Sequence, residues 1–280
     1  MLTLTRHADA RAFLTRAEAW LATREIEHAG PLQSARQARA NNSRHEHPMY
    51  WATIENAGEL LGCAYRTPPF KVGVTALPEE AIAPLVTDLA ATYPGPIGGF
   101  SGPDPTVSDL ASAWVRQRGG AWTVNTRGRL MSLGPQLAAP SSAGAAHVLR
   151  LASAGDRALA QSWGAAASID SGIAALDGQM CLQLLAAKLL YLWMDDQPRC
   201  MIGLLRETHK SAAVGIVYTP AAFRGQGHAT AALCEMNRLL DERGVPNRYL
   251  WIDPNSDAAQ ALAHKLGCGF VYDSLDIDCA

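Results

Sequence analysis

The chain has 280 residues, 48% hydrophobic and 18% charged, with a formal net charge of −2; at roughly 150 residues per domain it predicts two packed domains rather than a disordered chain. The near-neutral balance supplies no basic stripe, which argues against nucleic acid or an anionic membrane as the main partner and favours a small-molecule or peptide substrate. No run approaches the ~20 apolar residues of a membrane span, and residues 1–7 do not lead into a secretory core, so the expected location is the cytoplasm.

In chain order, His45-Glu46-His47 first invites a metal reading. Neighbours in an extended segment point to opposite faces and no distant third ligand is evident, so no metal is expected. Strands are predicted at 50–54, 59–65 and 71–75, a helix at 78–92, a strand at 97–100 and a helix at 105–118. Tyr50 and Trp51, with Trp193 and Trp251 further on, are candidates for an apolar acceptor pocket, although tryptophan is more often core. Residues 135–146, rich in Pro, Ser, Gly and Ala, read as a connector, giving domains at 1–134 and 147–280.

The second half opens with a strand at 147–151, then helices to about 168 and over 173–187. Strands at 189–194 and 200–205 flank the turn Asp195-Asp196-Gln197-Pro198, where the two aspartates read as turn residues before cation ligands. A strand at 212–219 leads to a glycine loop, a helix from Ala229 capped by Gly244, a strand at 248–252, a helix at 257–266 and a last strand from 269. The halves share this order, predicting an α+β (mixed α/β) fold of two tandem domains, each a central mixed sheet flanked by helices. No glycine loop joins Thr75 to Pro78, so the first copy is expected to lack a cofactor site. Six cysteines, at 63, 181, 200, 234, 268 and 279, have neither zinc nor disulfide spacing and read mostly as buried small hydrophobes.

The loop Arg224-Gly225-Gln226-Gly227-His228-Ala229, with Thr230 behind it, is the strongest chemical signal. Binding a pyrophosphate requires several converging backbone N–H groups, and glycines let the chain approach it where a Cβ would collide. A helix starting there adds free donors and the positive end of its dipole. The loop is neither GxGxxG nor a nucleotide-triphosphate loop.

In these residues the sequence resembles the GNAT superfamily of acyl-CoA-dependent N-acyltransferases, whose signature is Gln/Arg-x-x-Gly-x-Gly/Ala. Arg224, Gly227 and Ala229 fill the specified positions, and the likeness spans residues 147–275. Val217-Tyr218-Thr219-Pro220 ahead of Phe223-Arg224-Gly225-Gln226-Gly227-His228-Ala229 is similar to a bacterial group of predicted acetyltransferases with a degenerate N-terminal partner domain, as is Pro94 to Pro103. The resemblance implies acetyl-CoA, or another acyl-CoA, as cofactor. Val217, Tyr218 and Thr219 would line the pantetheine arm, and Gly225, Gln226, Gly227, His228, Ala229 and Thr230 would hold the diphosphate.

Two departures follow. The family's Asn and Tyr of the last helix align with Ser256 and Ala263, leaving Asn255 as the candidate contact and water, His264 or Tyr272 as replacements for the missing phenol. Glu207 and His209 are the candidate general base, in a segment that also reads as a solvated turn. The resemblance implies acetyl transfer from acetyl-CoA to an amine of a small molecule, as in natural-product tailoring or self-resistance. The alternatives are a non-catalytic acyl-CoA-binding protein and a transferase for a longer acyl chain.

Overall fold

The computed structural model describes residues 1–41, 48–134, 147–173 and 176–280. The expected linker at 135–146 and the His45-Glu46-His47 triplet lie outside the described residues. The chain forms two compact units, Met1–Arg129 with Val271–Ala280, and Leu130–Phe270.

The first unit runs β1 (Leu2–Arg6), α1 (Ala10–Thr23), α2 (Ala29–Asn41), β2 (Tyr50–Asn56), β3 (Glu59–Arg66), β4 (Val72–Val74), α3 (Ile82–Thr92), β5 (Gly99–Pro103), α4 (Thr106–Arg118) and the start of β6 (Trp122–Leu133). Its strand order is β1-β2-β3-β4-β5-β12-β6, where β12 is Gly269–Cys279. Strands β1 to β4 pair antiparallel in succession, and β4 and β5 are parallel. Alternation along β2 serves two cores, as the period of two requires. Tyr50 and Ala52 pack with α3 and α4, while Trp51 packs with α1 and α2. Tyr50 and Trp51 are therefore core residues and line no acceptor pocket.

Helices α1 and α2 have no counterpart in the sequence reading. Yet α1 buries Ala10, Phe13, Leu14, Ala17 and Leu21, one stripe at helical spacing, and Asp9 caps it by accepting from the Ala12 N–H at 2.8 Å. The first unit also takes residues from Val271 onward, which the sequence assigned to the second half. Leu275 and Ile277 fill its core, Lys71 bridges Asp276 and Asp278, and Arg129 grips Asp273 through two bonds of 2.6 and 2.9 Å.

The second unit continues with β7 (Val148–Leu151), α5 (Arg157–Ser171), α6 (Gly178–Ala186), β8 (Leu190–Met194), β9 (Pro198–Glu207), β10 (Ser211–Tyr218), α7 (His228–Glu242), β11 (Asn247–Ile252) and α8 (Asp257–Lys265). Strands β11-β10-β9-β8-β7 lie side by side, with β10 and β11 parallel and the rest antiparallel. Helices α7 and α8 cover one face over Trp193, Cys200, Ala212 and Val214, and α5 and α6 cover the other over Leu190, Met201 and Ile216. Each unit thus repeats antiparallel strands leading into a parallel pair, with helices on both faces. Cys63, Cys181 and Cys200 are buried and the other three cysteines half-buried; burial lifts the Cys63 and Cys200 thiols to about 12.

Candidate functional site

The site begins with a defect in β10. Its ladder with β9 pairs Ala213 with Arg206, Val214 with Leu204 and Ile216 with Gly203, leaving Leu205 and Gly215 as opposed extra residues. A Cβ on Gly215 would sit 2.0 Å from Leu205 Cγ, so glycine is required where Leu205 folds over the strand. A bulge reverses the alternation of side chains. Ala212 and Val214 accordingly face α7 and α8, whereas Ile216 and Tyr218 face α5 and α6.

The bulge coincides with the end of pairing on the other edge. Parallel partners run from Ser211↔Asn247 only to Val214↔Leu250, although β10 continues to Tyr218 and β11 to Ile252. Beyond Val214 the edge of β10 that faced β11 has N–H and C=O groups outside the ladder, which a ligand rich in amides can satisfy.

The chain then turns into the glycine loop. A single turn over Ala221–Phe223 leads to Gly225 at φ 76° and Gly227 at φ 84°, left-handed conformations that favour glycine. Gly227 precedes α7 and no side chain caps the helix; its first backbone bond runs from Ala231 N–H to the Gly227 carbonyl at 3.0 Å. The N–H groups of His228, Ala229 and Thr230 therefore have no partner within the helix, the arrangement that attracts an anion. A Cβ at Gly225 or Gly227 would meet nothing within 4 Å; space for a ligand remains beside both.

Side chains brace this loop. Gln226 donates to the Ala222 carbonyl at 3.3 Å and lies 3.3 Å from His228 Nε2. Arg224 donates through Nε to the Thr219 carbonyl at 3.0 Å, lies over the Tyr218 ring at 5.9 Å, and is ion-paired with Asp170 at the end of α5. The His228 imidazole titrates below its usual value, chiefly from burial and then from the nearby Arg199 and His147. Thr230 is buried.

Val217 to Thr230 thus form one continuous surface along the end of β10, the loop and the start of α7. Asn255 is exposed, its N–H spent on Asp253 Oδ1 at 2.8 Å, and Ser256 caps α8 by accepting from Ala259 N–H at 3.3 Å. Ala263 is 2% exposed inside the α7/α8 core, while His264 stands on the solvent side of the same helix.

The candidate base is not brought to this surface. Glu207 pairs with Ala212, six positions before Tyr218, which at ~3.3 Å per residue is about 20 Å along the strand. His209 lies in the turn beyond it. Glu207 is also bound bidentately by Arg243, at 2.9 and 3.0 Å, and Arg243 donates to Tyr191 Oη at 3.0 Å. Both residues thus lie away from the Val217–Ala229 surface, and Glu207 is also held by Arg243. Asp195 and Asp196 form the hairpin turn and hold Arg199 at 3.3 and 2.7 Å. Trp193 is core and Trp251 partly exposed. Among the described residues no group of three His, Cys, Asp or Glu is arranged for a metal, and no helix is long and apolar enough to cross a membrane.

The corresponding place in the first unit is closed. A Cβ on Gly102 of β5 would lie 2.5 Å from the Val74 carbonyl of β4, so the two backbones nearly touch where the second unit opens. The Leu77 N–H is taken by Thr106 Oγ1 at 3.1 Å, and Glu79 and Glu80 occupy the turn before α3, repelling an anion.

A strand freed by a bulge, followed by an uncapped glycine-led helix, offers an extended amide-rich anion both free backbone groups and unpaired N–H donors. Residues 176–270 match the acetyltransferase (GNAT) family. That family carries out acyl transfer and uses acyl-CoA. No curated protein matches the sequence. Solved structures share the fold over the whole chain. A Drosophila malonogaster protein aligns with TM-score 0.66 at 14% identity, covering 99% of this chain and 98% of its own. A GNAT-family acetyltransferase from Colwellia psychrerythraea gives 0.58 at 12%, covering 99% and 100%. A tandem GNAT protein from the clavulanic acid biosynthesis pathway gives 0.51 at 11%, covering 100% and 98%.

Proposed function

We propose that the second unit binds acetyl-CoA, or another acyl-CoA, and transfers the acyl group to an amine of a small molecule. The observation that carries this reading is the adjacency of the unpaired β10 edge to the uncapped start of α7. Amides of 225–230 would hold the diphosphate, and the edge at Val217, Tyr218 and Thr219 would take the amide-rich arm as a surrogate strand. The bound thioester supplies the activated acyl group. A backbone N–H near Val217 would stabilise negative charge on its carbonyl oxygen as the neutral amine attacks. Natural-product tailoring or self-protection would be a role consistent with such an acceptor.

One site per chain is expected, since among the described residues only the second unit has an open edge and a glycine loop. Calorimetry with CoA should give a stoichiometry of one, and thiol release from acetyl-CoA across a panel of amines should exceed background. A second reading, a non-catalytic acyl-CoA-binding protein, is favoured by Ala263 buried where the family places a phenol. Tight CoA binding with no thiol release from any amine would select it.

A further inference from the structure

We propose that Asp170 is a built-in competitor for the diphosphate, its ion pair with Arg224 setting how tightly the donor is held. This rests on reading the second unit as a CoA site. Asp170 sits in the last turn of α5, which ends at Ser171 before Gly172 at φ 70°. The partial negative charge of a helix C-terminus repels a carboxylate there, and that turn contains no basic residue to offset it. Helix stability therefore gives no reason for an acid at this position. Its partner is Arg224, the signature cation of the loop, 54 residues away.

A second contact ties the same two elements. Trp163 of α5 meets Tyr218 edge-on at 6.1 Å, and the Arg224 guanidinium lies over that Tyr218 ring. The end of α5 is thus held against both the freed stretch of β10 and the start of the loop. The nearby Arg199 is spoken for as well, paired with Asp195 and Asp196 and lying 4.5 Å over Phe223. An arriving diphosphate consequently meets a guanidinium already neutralised, with a carboxylate beside it. Both partners of the Asp170–Arg224 pair are about half exposed, 42% and 50%. Such a pair is worth no more than about fivefold in an equilibrium constant, weak enough for a dianion to displace.

The test is calorimetric titration of CoA into the full chain and into Asp170→Asn. The variant should bind about two- to fivefold tighter at low salt, with the gap narrowing as salt screens the charges. Asp170→Glu, which restores the carboxylate, should return towards wild-type affinity. Turnover of N,S-diacetylcysteamine, a thioester without a diphosphate, should be equal in wild type and Asp170→Asn; a merely structural role at the end of α5 would alter both donors. The melting temperature should not fall, and Asp170→Ser provides a second neutral variant. A folded Asp170→Asn or Asp170→Ser that binds CoA no tighter than wild type overturns the inference while leaving the site reading intact. A wild-type chain that binds no CoA overturns both.

Discussion

Replacing Gly227 by alanine separates the cost of a left-handed residue from the cost of losing an anion site, because the same helix carries a matched control. Gly227 precedes α7 at φ 84° and Gly244 follows it at φ 70°; a Cβ at either meets nothing within 4 Å. Each substitution should therefore cost only the strain of a left-handed L-residue, about 1–2 kcal/mol, partly offset by the lower entropy of the unfolded chain. Net destabilisation near 1 kcal/mol is expected for both in urea denaturation. The two positions are separated by the 15 residues of α7, about 22 Å at 1.5 Å per residue, so Gly244 cannot touch a diphosphate at the loop. CoA affinity should fall about tenfold or more in Gly227→Ala, where the added Cβ intrudes on the space beside the free N–H groups, and stay unchanged in Gly244→Ala. Equal affinities in the two variants, with equal losses of stability, would refute the claim that these amides grip the donor.

Other substitutions probe residues around that surface. Glu207→Gln should change acyl transfer by less than about twofold and stability by under about 1 kcal/mol, since Glu207 lies far from the loop in a partly exposed pair with Arg243; a loss of turnover beyond tenfold would restore it as a base. Ala263→Tyr, which installs the family's phenol, should lower stability by about 1–3 kcal/mol through overpacking rather than raise kcat, because Ala263 is enclosed by the α7/α8 core; thermal melts and initial rates together decide this. Asp156 is held well below the usual carboxylate range, first by Arg150 and then by Ser153. A depressed folded-state pKa contributes stability present above the unfolded value of about 4 and lost as pH falls through the folded one. Asp156→Asn should accordingly lower the urea midpoint at pH 7 and flatten its decline below about pH 4, and an unchanged acid limb would contradict the assignment.

What the sequence made legible was local in origin. The glycine loop, the amphipathic helix behind it and the flanking strands follow from turn chemistry and spacing within short windows, and β10, α7, β11 and α8 fall close to where those signals lie. Helix α1 carries an equally local signal, with Asp9 before the stripe at 10, 13, 14, 17 and 21. Strand β6 gave little signal, since half of Trp122–Leu133 alternates polar residues over an exposed surface. The Leu205/Gly215 double bulge and the Asp170–Arg224 pair depend on which residues meet in space. A glycine inside a strand was the one hint of the bulge. The distance of Glu207 and His209 from the loop has the converse origin: the turn between two central strands lies at one end of the hairpin, and the direction of β10 makes it the end away from the loop.

The same architectural step has opposite results in the two units, and a few residues account for the difference. In each, a parallel pair of strands follows an antiparallel run, and a helix follows the inner strand. In the second, the bulge at Gly215 and the end of pairing after Val214 leave the strand edge open, and Gly225 and Gly227 bring bare amides to its end. In the first, Gly102 brings the two backbones together, Thr106 takes the amide of Leu77, and glutamates stand where the anion would sit. A glycine opens the site in one copy and closes it in the other. The glycine-free link from Thr75 to Pro78 separates the units in the sequence; the structure adds that a missing Cβ leaves open space at Gly225 and Gly227 but admits the neighbouring strand at Gly102.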